Sequence, residues 1–131
     1  MDKQIKILLV EDDQMVSQMY YRKLTRDGFA LTLAGNGEEG LAALKNERPD
    51  IILLDVMMPK LNGFETLKII KKDPVYKNLP VVILTNLGDR DDDIAQCKKM
   101  GAVDYWVKAN TEINDLSNRI KTIIKDQASA A

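Results

Sequence analysis

The run Asp50-Ile51-Ile52-Leu53-Leu54-Asp55 constrains this chain most: four consecutive apolar residues between two acids, with Met58-Pro59 close behind. A short apolar run bounded by turn signals reads as a strand buried on both faces, the kind found inside a parallel sheet. Asp55 then stands at the carboxyl end of that strand, where open α/β sheets bind their ligands. Three other segments repeat the pattern. Ile5–Val10 runs into Glu11-Asp12-Asp13, Val81–Leu84 into Thr85, and Val103–Val107 into Lys108. In a parallel sheet these polar groups meet at one edge.

Between those strands lie segments of helical period. About Gln14–Asp27 reads as a helix with Met15, Val16, Met19, Tyr20 and Leu24 at helical spacing and Gly28 as its stop. Ala30–Ala34 is a weaker strand, followed by helices at about Glu38–Asn46 and, after the Asp50–Leu54 strand, Phe64–Lys72. A fourth helix covers about Asp91–Met100, capped by Gly101. The last spans about Glu112–Lys125 with Ile113, Leu116, Ile120, Ile123 and Ile124 on one stripe. Five strand-then-helix alternations with short connections predict a doubly wound α/β fold, a five-stranded parallel sheet with five helices and right-handed crossovers. Residues 1–126 form one domain in this reading, and 127–131 a frayed tail.

Composition narrows the function. At 131 residues and 45% hydrophobic, the chain suits one domain with a real core. Nineteen Lys+Arg against twenty Asp+Glu give a net charge of −1, and so no electrostatic reason to expect direct nucleic-acid or membrane binding. No apolar stretch approaches the roughly 18 residues of a membrane span, and no signal peptide is visible. The single Cys97 fits a reducing cytoplasm. The absence of histidine excludes His-based zinc sites and His general bases, and one cysteine excludes thiolate-cluster metal sites.

Taken singly, the marked residues have ordinary readings. Asp13 suits the N-cap of the first helix. Glu11 and Asp12 suit capping or solvent, and Asp55 a turn. Thr85 suits a β-branched strand end, and Lys108 a solvated lysine. Their order favours a common site instead: an acidic pair, an acid, a hydroxyl and an ammonium end strands one, three, four and five. Clustered carboxylates repel each other unless a cation intervenes. With oxygen ligands only, the expected ion is hard, and Mg²⁺ is the first choice, bound by one or two carboxylates plus phosphate oxygens. Asp55 could then act as a carboxylate nucleophile forming an aspartyl-phosphate, with Lys108 and Thr85 spreading the charge of the transferring group.

The chain resembles the receiver domains of bacterial two-component response regulators, in particular single-domain, chemotaxis-regulator-like ones. The resemblance is carried by Ile7-Leu8-Leu9-Val10-Glu11-Asp12-Asp13, by Leu53-Leu54-Asp55-Val56-Met57-Met58-Pro59 and by Leu61-Asn62-Gly63. Ile83-Leu84-Thr85 and Gly101-Ala102-Val103-Asp104-Tyr105-Trp106-Val107-Lys108 complete it, over Lys6 to about Lys125. It implies a flavodoxin-like receiver fold. It also implies Asp55 as phosphoacceptor and Mg²⁺ held by Asp12 directly, Glu11 through water, Asp55 and the Met57 backbone carbonyl. By the same resemblance Thr85 is the switch hydroxyl, Lys108 its charge partner and Tyr105 the aromatic whose ring turns inward. The implied partners are a histidine kinase or histidine phosphotransfer protein, with a downstream protein target on the face of helix four, strand five and helix five. No turnover of an external substrate is expected, only phosphoryl acceptance and autodephosphorylation.

Two positions depart from the family pattern. Ala109 follows Lys108 where the family usually has proline; a cis bond there costs about 3 kcal/mol. Asn86 replaces a very small residue after Thr85 and narrows the approach to Asp55. The resemblance also implies that residues 57 and 87 flank the line a hydrolytic water would take; here they are the apolar Met57 and Leu87, so a long-lived phosphoryl group is expected. Two alternatives stay open: a receiver-like interaction module independent of phosphorylation, and a Mg²⁺-dependent phosphohydrolase. The second would use an acid two residues after its nucleophile, where this chain has Met57.

Overall fold

The computed structural model describes residues 4–55, 63–85, 91–107 and 113–130, with side chains at 85, 91–94, 107, 113–114 and 128–130 outside the description. Met57, Asn86, Leu87, Lys108 and Ala109 therefore lie outside the described residues, as do the side chains of Thr85 and Ile113. Strands and helices alternate: β1 Lys6–Val10, α1 Gln14–Arg26, β2 Ala30–Ala34, α2 Gly37–Asn46, β3 Ile51–Asp55, α3 Gly63–Lys72, β4 Val81–Thr85, α4 Asp91–Lys99, β5 Asp104–Val107 and α5 Ile113–Ala130. All four strand pairings are parallel, in the order β2-β1-β3-β4-β5.

Alternate residues of each strand feed two apolar layers, as the period of two requires. Leu8, Val10, Ile52, Leu54, Val81, Ile83 and Tyr105 pack with α2, α3 and α4 through Leu44, Leu67, Ile70 and Cys97. Ile7, Leu9, Ile51, Leu53, Val82, Leu84 and Trp106 pack with α1 and α5 through Tyr20, Leu24, Leu116 and Ile120. Every residue of β3 is buried, as its uninterrupted apolar run foretold.

Local chemistry sets the helix limits. Asn36 caps α2 by accepting from Glu39 N at 2.9 Å, while the Glu39 carboxylate reaches back to Asn36 Nδ2 at 2.9 Å and Gly35 N at 3.4 Å. Gly28 and Gly101, at φ 100° and 106°, close α1 and α4. In each case the glycine N–H and the one after it return to carbonyls of the last turn: Gly28 to Thr25, Phe29 to Leu24, Gly101 to Lys98, Ala102 to Cys97.

Two expectations needed correction. Met15 and Met19 are 85% and 50% exposed rather than part of the buried stripe of α1, which is formed by Ser17, Tyr20 and Leu24. At about 100° per residue Met15 lies roughly 140° round the helix from Tyr20, so its spacing placed it off the sheet-facing side. The last helix also runs to Ala130, past the Lys125 limit expected, and takes in most of the segment read as a frayed tail. Asp126-Gln127-Ala128-Ser129-Ala130 contains neither glycine nor proline to stop it, and alanine is the strongest helix former.

Candidate metal and phosphoacceptor site

The carboxyl ends of β1 and β3 lie side by side because their register pairs Val10 with Leu54. The next residues, Glu11 and Asp55, therefore fall level at the edge of the sheet. The β1–β2 ladder extends one step beyond β1, with Glu11 N donating to Ala34 O at 2.9 Å. Glu11 and Asp55 are each only 4% exposed, whereas Asp12 is exposed.

One carboxylate oxygen from each of Glu11, Asp12 and Asp55 lies within 4.8 Å of the other two. Opposite ligands on one Mg²⁺ stand roughly 4.2 Å apart, twice the metal–oxygen distance. The cluster is thus close to the dimensions of a shared octahedral ion with water completing the shell. The donor set is all oxygen and all acidic, which suits a hard divalent cation and disfavours zinc or copper. Three carboxylates this close repel one another, and a divalent cation would offset that repulsion, so the residues fit the metal that the sequence implies.

Asp13, third of the acidic triplet, is outside this cluster. Its Oδ1 accepts from Met15 N at 2.9 Å and Val16 N at 3.2 Å, making it the N-cap of α1. Its own N–H donates to Glu11 Oε2 at 3.1 Å. Sequence reasoning placed the cap correctly but had no signal for this link to Glu11.

Two other expected site residues, Thr85 and Tyr105, lie on β4 and β5. Thr85 is the last residue of β4 and pairs with Val107, the residue before Lys108. Tyr105 is 8% exposed and sits in the α2–α4 layer. Its backbone N–H is held by Asp104 Oδ1 at 2.8 Å, while Asp104 Oδ2 accepts from Trp106 Nε1 at 2.7 Å. Trp106 lies in the opposite layer with Arg119 5.6 Å over its ring.

Two groups with displaced titration lie at the other edge of the sheet. Asp27 is held below the usual carboxylate range, first by a hydrogen bond from Ser117 and then by Lys23. Burial pushes the Lys71 ammonium down while it donates to Lys77 O at 3.0 Å and Leu79 O at 2.7 Å. Along α1 runs a shallow concavity of about 630 Å³, lined by Met15, Met19 and Arg22 among others; it begins beside Asp13 and does not cover the carboxylates.

The sequence pattern that defines the response regulator receiver domain matches residues 7–121, and the chain belongs to that family. It is 43% identical over 124 residues, 95% of this chain and 52% of the relative, to a transcriptional regulatory protein CpxR homolog from Haemophilus influenzae. Transcriptional regulatory protein AfsQ1 of Streptomyces coelicolor is 37% identical over 119 residues, 91% of this chain and 51% of its own length. The chain thus spans about half the length of the curated relatives it matches. Among solved structures, the receiver domain of Francisella response regulator 1452 superposes with a TM-score of 0.86 at 32% identity, covering 94% of this chain and 98% of that one. Chemotaxis protein CheY4 of Vibrio cholerae gives 0.83 at 29%, covering 92% and 98%. Receiver domains of this family work as phosphoacceptors in two-component signalling and pair with histidine kinases or phosphotransfer proteins. No helix among the described residues is long and apolar enough to cross a membrane.

Proposed function

We propose that Asp55 is the phosphoacceptor of this receiver and that Glu11, Asp12 and Asp55, with the Met57 carbonyl, hold the Mg²⁺ it needs. The convergence of three carboxylates within 4.8 Å at the ends of β1 and β3 carries this reading. An Asp55 carboxylate oxygen attacks phosphorus, the new O–P bond forms, and the N–P bond of a phosphohistidine donor breaks with the electron pair leaving on the imidazole. Mg²⁺, when bound, supplies positive charge to the phosphoryl oxygens and lowers the repulsion between that anion and the site. The chain's own groups do the rest. β3 fixes Asp55 in a fully buried strand so that its carboxylate is presented at a defined point, and positioning is most of what phosphoryl transfer asks of a protein. Thr85, the last residue of β4, and Lys108, next in sequence after β5, take the phosphoryl charge in this reading.

In this proposal the phosphorylated state biases the packing of Tyr105 and the surface of α4, β5 and α5, which a downstream protein reads. Met57 stands where a hydrolase would keep its second acid, so the chain accepts and slowly loses phosphate rather than turning over an external substrate. The cytoplasm is the compartment this role implies, in keeping with a chain that has a single cysteine, Cys97.

The test is incubation of wild type and Asp55→Asn with acetyl phosphate and Mg²⁺, read by intact mass. Wild type should gain one acid-labile phosphoryl group, and the variant none. Equal labelling of both would overturn the assignment.

A further inference from the structure

Glu11 is held from two directions: its backbone N–H by Ala34 O at 2.9 Å and its carboxylate Oε2 by the N–H of Asp13 at 3.1 Å. The second hold depends on where Asp13 sits. That position is fixed in turn by the Asp13 side chain, which accepts from both Met15 N and Val16 N at the first turn of α1. Only three residues separate the end of β1 from the start of α1, so the cap and the acidic pair share one short loop. We infer that Asp13 is a positioning residue for the metal site: it docks α1 onto the loop and thereby sets the Glu11 carboxylate beside Asp12 and Asp55.

The inference rests on the Mg²⁺ reading above and adds a residue to it. It assigns the third acid of the triplet a role opposite to the one its charge suggests. Asp13 spends its carboxylate on two helix N–H groups at the positive end of the α1 dipole, so its contribution to the metal is geometric. Outer groups that orient metal ligands commonly change affinity by 10–100-fold when removed. Serine caps helices about as well as aspartate, whereas alanine does not cap at all. The pair Asp13→Ser and Asp13→Ala therefore separates geometry from charge, because both lose the carboxylate and only one loses the cap.

The experiment is a titration with MgCl₂ followed by amide NMR shifts in wild type, Asp13→Ser, Asp13→Ala and Asp12→Asn. Thermal melting in EDTA runs alongside, and titrations are kept well below each melting point. Binding in wild type that is lost in Asp12→Asn establishes the metal reading independently. Given that, Asp13→Ala should weaken Mg²⁺ roughly tenfold, while Asp13→Ser stays within about twofold of wild type. Equal weakening in both variants would show that the Asp13 charge acts directly and would overturn the inference. An alanine variant that melts lower but binds Mg²⁺ like wild type would overturn it too, because the cap would then serve stability alone.

Discussion

Helix α1 crosses the sheet from one edge to the other and has an aspartate cap at each end, but the two carboxylates are supported by different physics. At the amino end Asp13 meets two free N–H groups and the positive end of the helix dipole. At the other end Asp27 meets the carbonyl side, where a negative charge is unfavourable, and it is stabilised instead by the Ser117 hydroxyl of α5 and by Lys23 at 3.1 Å. The same contrast extends along the edges of the sheet. Where the strands begin, charges are settled within the chain: Asp27 by Ser117 and Lys23, Lys6 by Glu47 at 3.4 Å, and the Asp50 carboxylate by Lys6 N at 2.8 Å. Where β1 and β3 end, three carboxylates are drawn together at a spacing suited to a divalent ion. One edge is tied by these contacts within the chain, and the other gathers the three acids of the candidate metal site.

The sharpest way to break this contrast is to ask whether Mg²⁺ adds stability through the carboxyl edge alone. At a free concentration 100 times its dissociation constant the ion should stabilise wild type by about 2.7 kcal/mol, and Asp55→Asn should forfeit most of that gain. Denaturant melts with and without Mg²⁺ read the difference. A full gain in the variant would mean the ion binds elsewhere.

Next in size are the glycine stops at the opposite edge. Alanine at either position must hold a positive φ, costing about 1–2 kcal/mol. A Cβ on Gly28 would meet nothing within 4 Å, whereas one on Gly101 would meet Lys71 Cδ and Cγ at 3.1 Å. Because the Lys71 ammonium is tied to two carbonyls, the chain beneath Gly101 cannot give freely. Urea unfolding should therefore find Gly101→Ala the more destabilised of the two, and the reverse order would show that Lys71 yields easily.

A smaller effect concerns pH. The folded state holds Asp27 at a lower pKa than the unfolded chain does, so its contribution is present above the ordinary carboxylate value of 3.8 and is lost as pH falls through the lower folded value. The melting temperature of wild type should drop more steeply than that of Asp27→Asn across this acid window. Parallel curves would mean that Ser117 and Lys23 do not settle this charge.

Smallest should be Met15→Ser, within about 0.5 kcal/mol of wild type in the same melts, because an 85% exposed side chain away from packing has little to lose. A larger loss would show that Met15 is covered in solution.

Much of this was legible in the residues. Every strand fell within one residue of its expected limits at each end, because an apolar run bounded by polar residues has one good fate in a parallel sheet. The acidic cluster was legible for the same reason: strand ends share an edge, so Glu11, Asp12 and Asp55 had to meet. What escaped was rotational or relational. Met15 and Met19 look like core residues when only spacing is counted, and their exposure follows from which side of α1 faces the sheet. The extension of α5 to Ala130 escaped because nothing in the tail stops a helix, and a missing stop signal is easily passed over. The link from Asp13 N to Glu11 Oε2 joins a backbone donor to a side chain two residues back, which no residue pattern encodes.

β5 places Tyr105 in one apolar layer and Trp106 in the other, and Trp106 is the only tryptophan of the chain. The indole therefore sits on the α1–α5 side with Arg119 above it, hydrogen-bonded to Asp104 of the same strand. Excited at its red edge, the protein emits from that side alone, and Tyr105 stays dark. A change in tryptophan emission therefore reports the α1–α5 layer and the Asp104 carboxylate that also holds the Tyr105 N–H, while ring movement of Tyr105 that leaves this link intact must be followed by another signal.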